Sequence, residues 1–215
     1  MKKENKSNIW LAAGLLLAFT LWTVLVRFVD VQAIGPEDSA VGFATVNKAV
    51  HNLTGVHMAL YTLTDWLGLV PIGFVAGFAG LGLWQWIKRK RLKYVDYHIF
   101  VLGGFYIAVM AVYVLFEKIP INYRPVLIDG LLEVSYPSST TILVMCVVPA
   151  AIMQFNRRIK NKALKRILCS LMALFVVFMV IGRLISGVHW FSDIIGGILV
   201  SSGLVMLYRY IMNFK

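Results

Sequence analysis

Charge is what this sequence has least of. Only 14% of its 215 residues are Asp, Glu, Lys or Arg, against 60% hydrophobic, which is too greasy for an ordinary soluble core and implies membrane spans. Acidic residues are scarcest, 10 against 21 basic ones, for a net charge of +11. That excess does not point to nucleic acid, because the basic residues stand in short clusters between apolar runs, where they set orientation in a bilayer. Cysteine is nearly missing. Cys146 and Cys169 both lie inside apolar runs with no metal-ligand partner beside them, so they are expected as small buried hydrophobes, and no metal or cofactor is expected. A small-x-small cleavage site is missing too. The apolar run 9–26 exceeds the roughly 7–15 residues of a secretory signal, so it is expected to be an uncleaved first span. Mid-span charges and an inverted repeat are both lacking, which argues against a transporter or channel.

What is present is a series of six apolar runs, predicted as helical spans over residues 9–26, 60–87, 98–116, 141–155, 167–185 and 194–212 of a single domain, 1–215. A span needs roughly 20 apolar residues. The last three have shorter purely apolar cores, as expected where outer helix ends line a polar pocket. Lys2, Lys3 and Lys6 precede the first run; Lys88, Arg89, Lys90, Arg91 and Lys93 follow the second; Arg157, Arg158, Lys160, Lys162, Lys165 and Arg166 follow the fourth. Alternation puts these clusters and Lys215 on one face, cytoplasmic by the positive-inside rule. Both termini are then inside, and the connections 27–59, 117–140 and 186–193 are outside a plasma membrane, with a bacterial inner membrane the expected setting. Residues 41–53 carry apolar side chains at 41, 43, 46, 50 and 53, which predicts a short amphipathic helix on the membrane surface. Gly73, Gly77 and Gly80, and Gly196 with Gly197, are expected to let helices pack closely.

The stretch 182–193, Gly-Arg-Leu-Ile-Ser-Gly-Val-His-Trp-Phe-Ser-Asp, separates the last two runs and carries Arg183, His189 and Asp193. Ionisable groups at the edge of a span are costly and are read first as a functional site. If His189 sits on a helical turn, Asp193 at i+4 shares its face. Its carboxylate would then hold one imidazole nitrogen protonated and leave the other free to attack. The outer connection before it contributes Lys118, Arg124 held extended by Pro125, and the run Ser138, Ser139, Thr140, Thr141 at the start of the fourth span. Hydroxyls there cap a helix whose free N–H groups and dipole attract anions. Arginines match phosphate oxygens with paired donors.

These residues resemble the type 2 phosphatidic acid phosphatase superfamily, membrane lipid phosphatases related to the vanadium-dependent haloperoxidases. The family pattern is Lys-x6-Arg-Pro, Pro-Ser-Gly-His and Ser-Arg-x5-His-x3-Asp. The third part matches at Arg183, His189 and Asp193 in type and spacing. The resemblance implies an all-α, six-span integral membrane bundle that acts on a phosphorylated lipid. His189 would form a phosphohistidine and Asp193 would orient it, while Arg183, Arg124, Lys118, Ser138, Ser139 and Thr140 would hold phosphate. Three positions depart from the pattern. Gly182 replaces a serine, and five residues rather than six separate Lys118 from Arg124. Thr140 stands where the family keeps the histidine that protonates the leaving oxygen. A threonine hydroxyl is too weak an acid for that task, worth about 10²–10⁴-fold. The expected function is a lipid phosphate or diphosphate phosphohydrolase at the outer face. The alternative is a non-catalytic binder of phosphorylated lipids.

Overall fold

The computed structural model describes residues 2–213, with side chains from Ser7 onward; Lys215 and the side chains of Lys2, Lys3 and Lys6 lie outside the described residues. Eight α-helices follow in order among the described residues: α1 Lys2–Phe28, α2 Ala44–Thr54, α3 Met58–Leu67, α4 Leu69–Arg89, α5 Tyr97–Lys118, α6 Ser139–Arg158, α7 Lys162–Ile185 and α8 Phe191–Met212. Among the described residues the only sheet is a two-residue ribbon between α1 and α2, Gln32 opposite Val41. Six helical segments are long and apolar enough to cross a membrane, with α3 and α4 together making the second. The all-α, six-span expectation therefore holds.

Burial ranks the helices. Of the most apolar stretch of each span, 50% is buried in α6 and 44% in α8, against 17–22% in the other four. So α6 and α8 form the centre, with α1 packed along α8 and α4, α5 and α7 around α6. The exposed leucines, isoleucines and tryptophans of the outer helices would be a liability in water. In lipid they meet an equally apolar solvent.

The second span is broken where one helix was expected. Pro71 has no N–H and its ring crowds the carbonyl four residues back, and Gly68 closes α3 by donating to the Asp65 and Thr64 carbonyls. The break sets α3 against α7, which brings Tyr61, Thr64 and Asp65 to the site. The expected packing role of Gly73, Gly77 and Gly80 fails: a Cβ at any of them would meet nothing within 4 Å. Gly196 and Gly197 are different: a Cβ at Gly196 would lie 2.6 Å from the Tyr136 ring in the connection before α6, and one at Gly197 would lie 3.0 Å from the Thr141 methyl of α6, so the close approach of this region to α8 depends on both.

The basic clusters that fall among the described side chains share one end of the bundle. There Asp96 caps α5 by accepting from His98 N–H and pairs with Arg158 at 2.7 Å, both about 70% buried. Arg157 donates to the Asn213 side chain. Such a part-exposed pair contributes on the order of 1 kcal/mol at most, so it fixes register more than stability. The titratable loop 186–190 lies at the opposite end. The surface helix predicted over 41–53 exists as α2, but it docks by a polar residue. Asn47, fully buried, donates to Ser192 Oγ at 2.9 Å and accepts from Ser192 N–H at 3.0 Å, while Val46 and Leu53 face outward.

Candidate active site

The loop between α7 and α8 is folded by one glycine and one carboxylate. Gly187 has φ +71°, and a Cβ there would sit 2.0 Å from the Gly55 carbonyl oxygen, so the chain reverses against the α2–α3 connection only with glycine. His57 N–H donates to the Ser186 carbonyl across the same contact. Asp193 stands in the first turn of α8 and accepts from Trp190 N–H at 2.9 Å, which caps the helix. His189 is therefore in the loop, two residues before the helix, and not on a helical face shared with Asp193.

Its ring is buried and held at both nitrogens. Nδ1 lies 3.0 Å from Ser135 Oγ, and Nε2 lies 3.4 Å from Arg183 Nη2. The Asp193 carboxylate is 3.9 Å from Nδ1, too far for a hydrogen bond. Burial, then the charges of Arg124 and Arg183, hold the imidazole pKa well below the ordinary histidine value, so the ring is neutral and the contact with Asp193 is not an ion pair. A neutral, lone-pair-bearing imidazole beside two cations is the form a nucleophile needs.

Two guanidinium groups converge beside it. Arg183 is buried with its carbon 4.9 Å from the Tyr61 ring centre, and Arg124 lies 5.9 Å from the same ring. Arg183 is 3.8 Å from Asp65, which is exposed, and Arg124 is 2.9 Å from Glu133. Even so, Arg183 Nε and Arg124 Nη1 are buried with no hydrogen-bond partner among the described residues. A buried donor left unsatisfied costs more than 1 kcal/mol, and more for a charged group. Such donors mark an anion site.

The remaining expected residues divide. Ser138 is buried as the N-cap of α6, its Oγ accepting from the Thr141 hydroxyl at 3.0 Å, and its N–H donates to the Asp193 carbonyl at 3.1 Å. Its oxygen thus caps the helix, while its own O–H remains a donor. Ser139 and Thr140 fill the first turn of α6, whose N–H groups have no intrahelical acceptor, and line an apolar groove of about 360 Å³ with Ile72, Tyr106 and Tyr113. Lys118 is not brought in. It ends α5 exposed and makes no hydrogen bond or ion pair among the described residues, because one residue fewer in the connection leaves it outside the cluster. A larger cavity, about 490 Å³, lies at the basic end between α4 and α5 and has no part in this chemistry.

Several site residues were not legible in the sequence. Asn122 and Ser135 come from the connection between α5 and α6, and Tyr61 and Thr64 from α3, elements that only the fold assembles. Asn122 donates to Asp193 Oδ1 at 3.2 Å and accepts from Gly42 N–H at 3.1 Å. Thr64 also explains Gly182: a Cβ there would lie 2.9 Å from the Thr64 methyl, and the Thr64 hydroxyl accepts from Arg183 at 3.4 Å, so α3 occupies the room a serine would take. The one available hint was position, with Asn122 two residues before Arg124 and Ser135 three before Ser138.

No curated protein matches the chain. Among solved structures it is similar to the crystal structure of the first transmembrane PAP2-type phosphatidylglycerolphosphate phosphatase from Bacillus subtilis. The TM-score is 0.62 at 16% identity, over 95% of this chain and 97% of that one, which establishes a common fold. Residues 115–215, the part that holds Arg124, Ser135, Arg183, His189 and Asp193, match the PAP2 superfamily. The PAP2 (phosphatidic acid phosphatase type 2) superfamily match thus takes in the C-terminal part of the chain that carries the site, and the common fold extends over the rest.

Proposed function

We propose that the protein is a lipid phosphate phosphohydrolase working through a covalent phosphohistidine on His189. The match of residues 115–215 to the PAP2 superfamily supports lipid-phosphatase-like activity. The observation that carries the finer reading is the neutral His189 ring set against two buried arginines with unsatisfied donors. His189 Nε2 attacks phosphorus in line; the P–N bond forms as the P–O bond to the lipid breaks, and that oxygen leaves with its electron pair. Water then attacks the phosphohistidine, restoring Nε2 and releasing phosphate. Arg124 and Arg183 meet the phosphoryl oxygens, joined by first-turn N–H groups of Ser139 and Thr140. The apolar groove beneath Thr140 takes part of the lipid chain.

Thr140 favours a second reading, a binder of phosphorylated lipids that does not turn them over. Phosphate release by the purified protein in detergent, across lipid mono- and diphosphates with and without vanadate, separates the two. The phosphatase releases phosphate from at least one and is inhibited by vanadate. Binding without release leaves the second reading.

The basic residues at the far end support an extracytoplasmic site. Ser186 is buried and unsuited to labelling, so the reporter is Asn52, exposed on α2. With Cys146 and Cys169 replaced, Asn52→Cys is expected to react with an impermeant thiol reagent on intact cells, and Lys160→Cys only after lysis. The reverse pattern would turn the protein over in the membrane and move the chemistry inside.

A further inference from the structure

We propose that Ser135 is the positioning residue through which Asp193 acts on His189, so that a hydroxyl sets the tautomer and aim of the imidazole. The inference rests on His189 being the nucleophile, as proposed above. It follows from counting protons. Asp193 Oδ2 takes hydrogen bonds from Trp190 N–H and from Ser135 Oγ, the latter at 2.5 Å, while Oδ1 takes them from Asn122 Nδ2 and, at 3.5 Å, Ser192 Oγ. The Trp190 and Asn122 groups are obligatory donors, so the carboxylate is acting as acceptor. Ser135 has a single proton, and a second lone pair turned toward Asp193 would be repelled. The Ser135 O–H therefore donates to Asp193, and its oxygen accepts from His189 Nδ1–H.

The other end of the ring agrees. Arg183 has only donors, so the Nε2 facing it at 3.4 Å carries the lone pair. Both ends select the same tautomer, with Nε2 free to attack. Ser135 is itself buried, and its N–H donates to the Asn122 carbonyl at 2.9 Å. The residue whose side chain steadies Asp193 thus also steadies the backbone of the relay. When Nε2 bonds to phosphorus, the ring becomes cationic and Nδ1–H a stronger donor. Ser135 passes that charge toward the carboxylate 3.9 Å from Nδ1 without a proton leaving the ring.

The test uses full-length protein in detergent with nitrogen-labelled histidine, four residues in all. In the wild type, without substrate, the His189 ring is expected as the Nδ1–H tautomer. Ser135→Ala is expected to lower kcat about 10- to 100-fold, as loss of an outer orienting partner does, to leave KM within about twofold, and to shift the ring toward a tautomer mixture. Ser135→Thr, which keeps the hydroxyl, restores most of both. Ser135→Cys, of nearly the same size but with a weak donor and acceptor, behaves like the alanine variant and stands in for it if that fails to fold. An unchanged kcat in the alanine or cysteine variant overturns the proposal, and so does a lost kcat with the tautomer unchanged. A wild type that releases no phosphate would remove the functional reading instead, because the tautomer is read without substrate.

Discussion

His189→Ala is expected to release no phosphate above the uncatalysed background, a loss of at least about 10⁴-fold in kcat, the scale on which a covalent nucleophile is missed. The reason is the division of labour in the site. In the proposed mechanism Arg183 and Arg124, which converge on the Tyr61 ring, hold the phosphoryl group and the groove beneath Thr140 takes apolar chain, so substrate binding is expected to survive and KM to change little. What disappears is the atom that bonds to phosphorus. The ring is buried between Ser135 and Arg183, so its removal also opens a cavity; His189→Gln, closer in volume, serves as the second variant. Both are checked for folding by thermal unfolding in detergent. Undiminished release by either would remove His189 from the mechanism.

The second large effect concerns the leaving group. Thr140 stands in the first turn of α6, half-buried at the lip of the groove. A lipid monophosphate leaves as an alkoxide, which needs a proton in the transition state. A lipid diphosphate leaves as a phosphate monoester, already a stable anion with a last pKa of about 6. Diphosphates are therefore expected to be cleaved about 10²–10⁴-fold faster than monophosphates, the worth of the missing general acid. Thr140→His is expected to close that gap by raising the monophosphate rate alone.

Two outer histidines test this account. His57 is committed elsewhere, its Nε2 2.9 Å from the Thr54 carbonyl. His51 is the competitor for the acid's role: its ring stands 5.4 Å from Trp190, with Nδ1 buried and unpartnered among the described residues. Equal rates on the two substrate classes, with His51→Ala inactive, would place the acid on α2 and contradict the leaving-group account.

The parts of the molecule legible in its sequence are those governed by one-dimensional physics. Apolar runs of bilayer length gave the six spans, and basic residues at alternate junctions gave their common end. Arg183, His189 and Asp193 were visible because one short stretch of sequence carries them. Pro71, inside the expected span 60–87, signals a kink, but that the break falls at Gly68 and turns α3 against α7 emerges only in the fold. Gly73, Gly77 and Gly80 have the spacing of a packing face, yet no helix lies against them; spacing shows what can pack and not what does. Lys118 had the right residue type one position out of register, and a helix end fixes direction too firmly for the side chain to make up the difference. Ser135 lies 54 residues from His189 and 58 from Asp193, and a contact at that separation has no local signature.

The most direct measurement is to trap the covalent intermediate. Purified protein is mixed with lipid diphosphate labelled at the terminal phosphate, quenched within a single turnover under alkaline conditions, and digested. The expected result is acid-labile phosphate on His189, lost in His189→Gln. Consumption of the lipid with no phosphate on the protein, or with phosphate on another residue, would contradict the account.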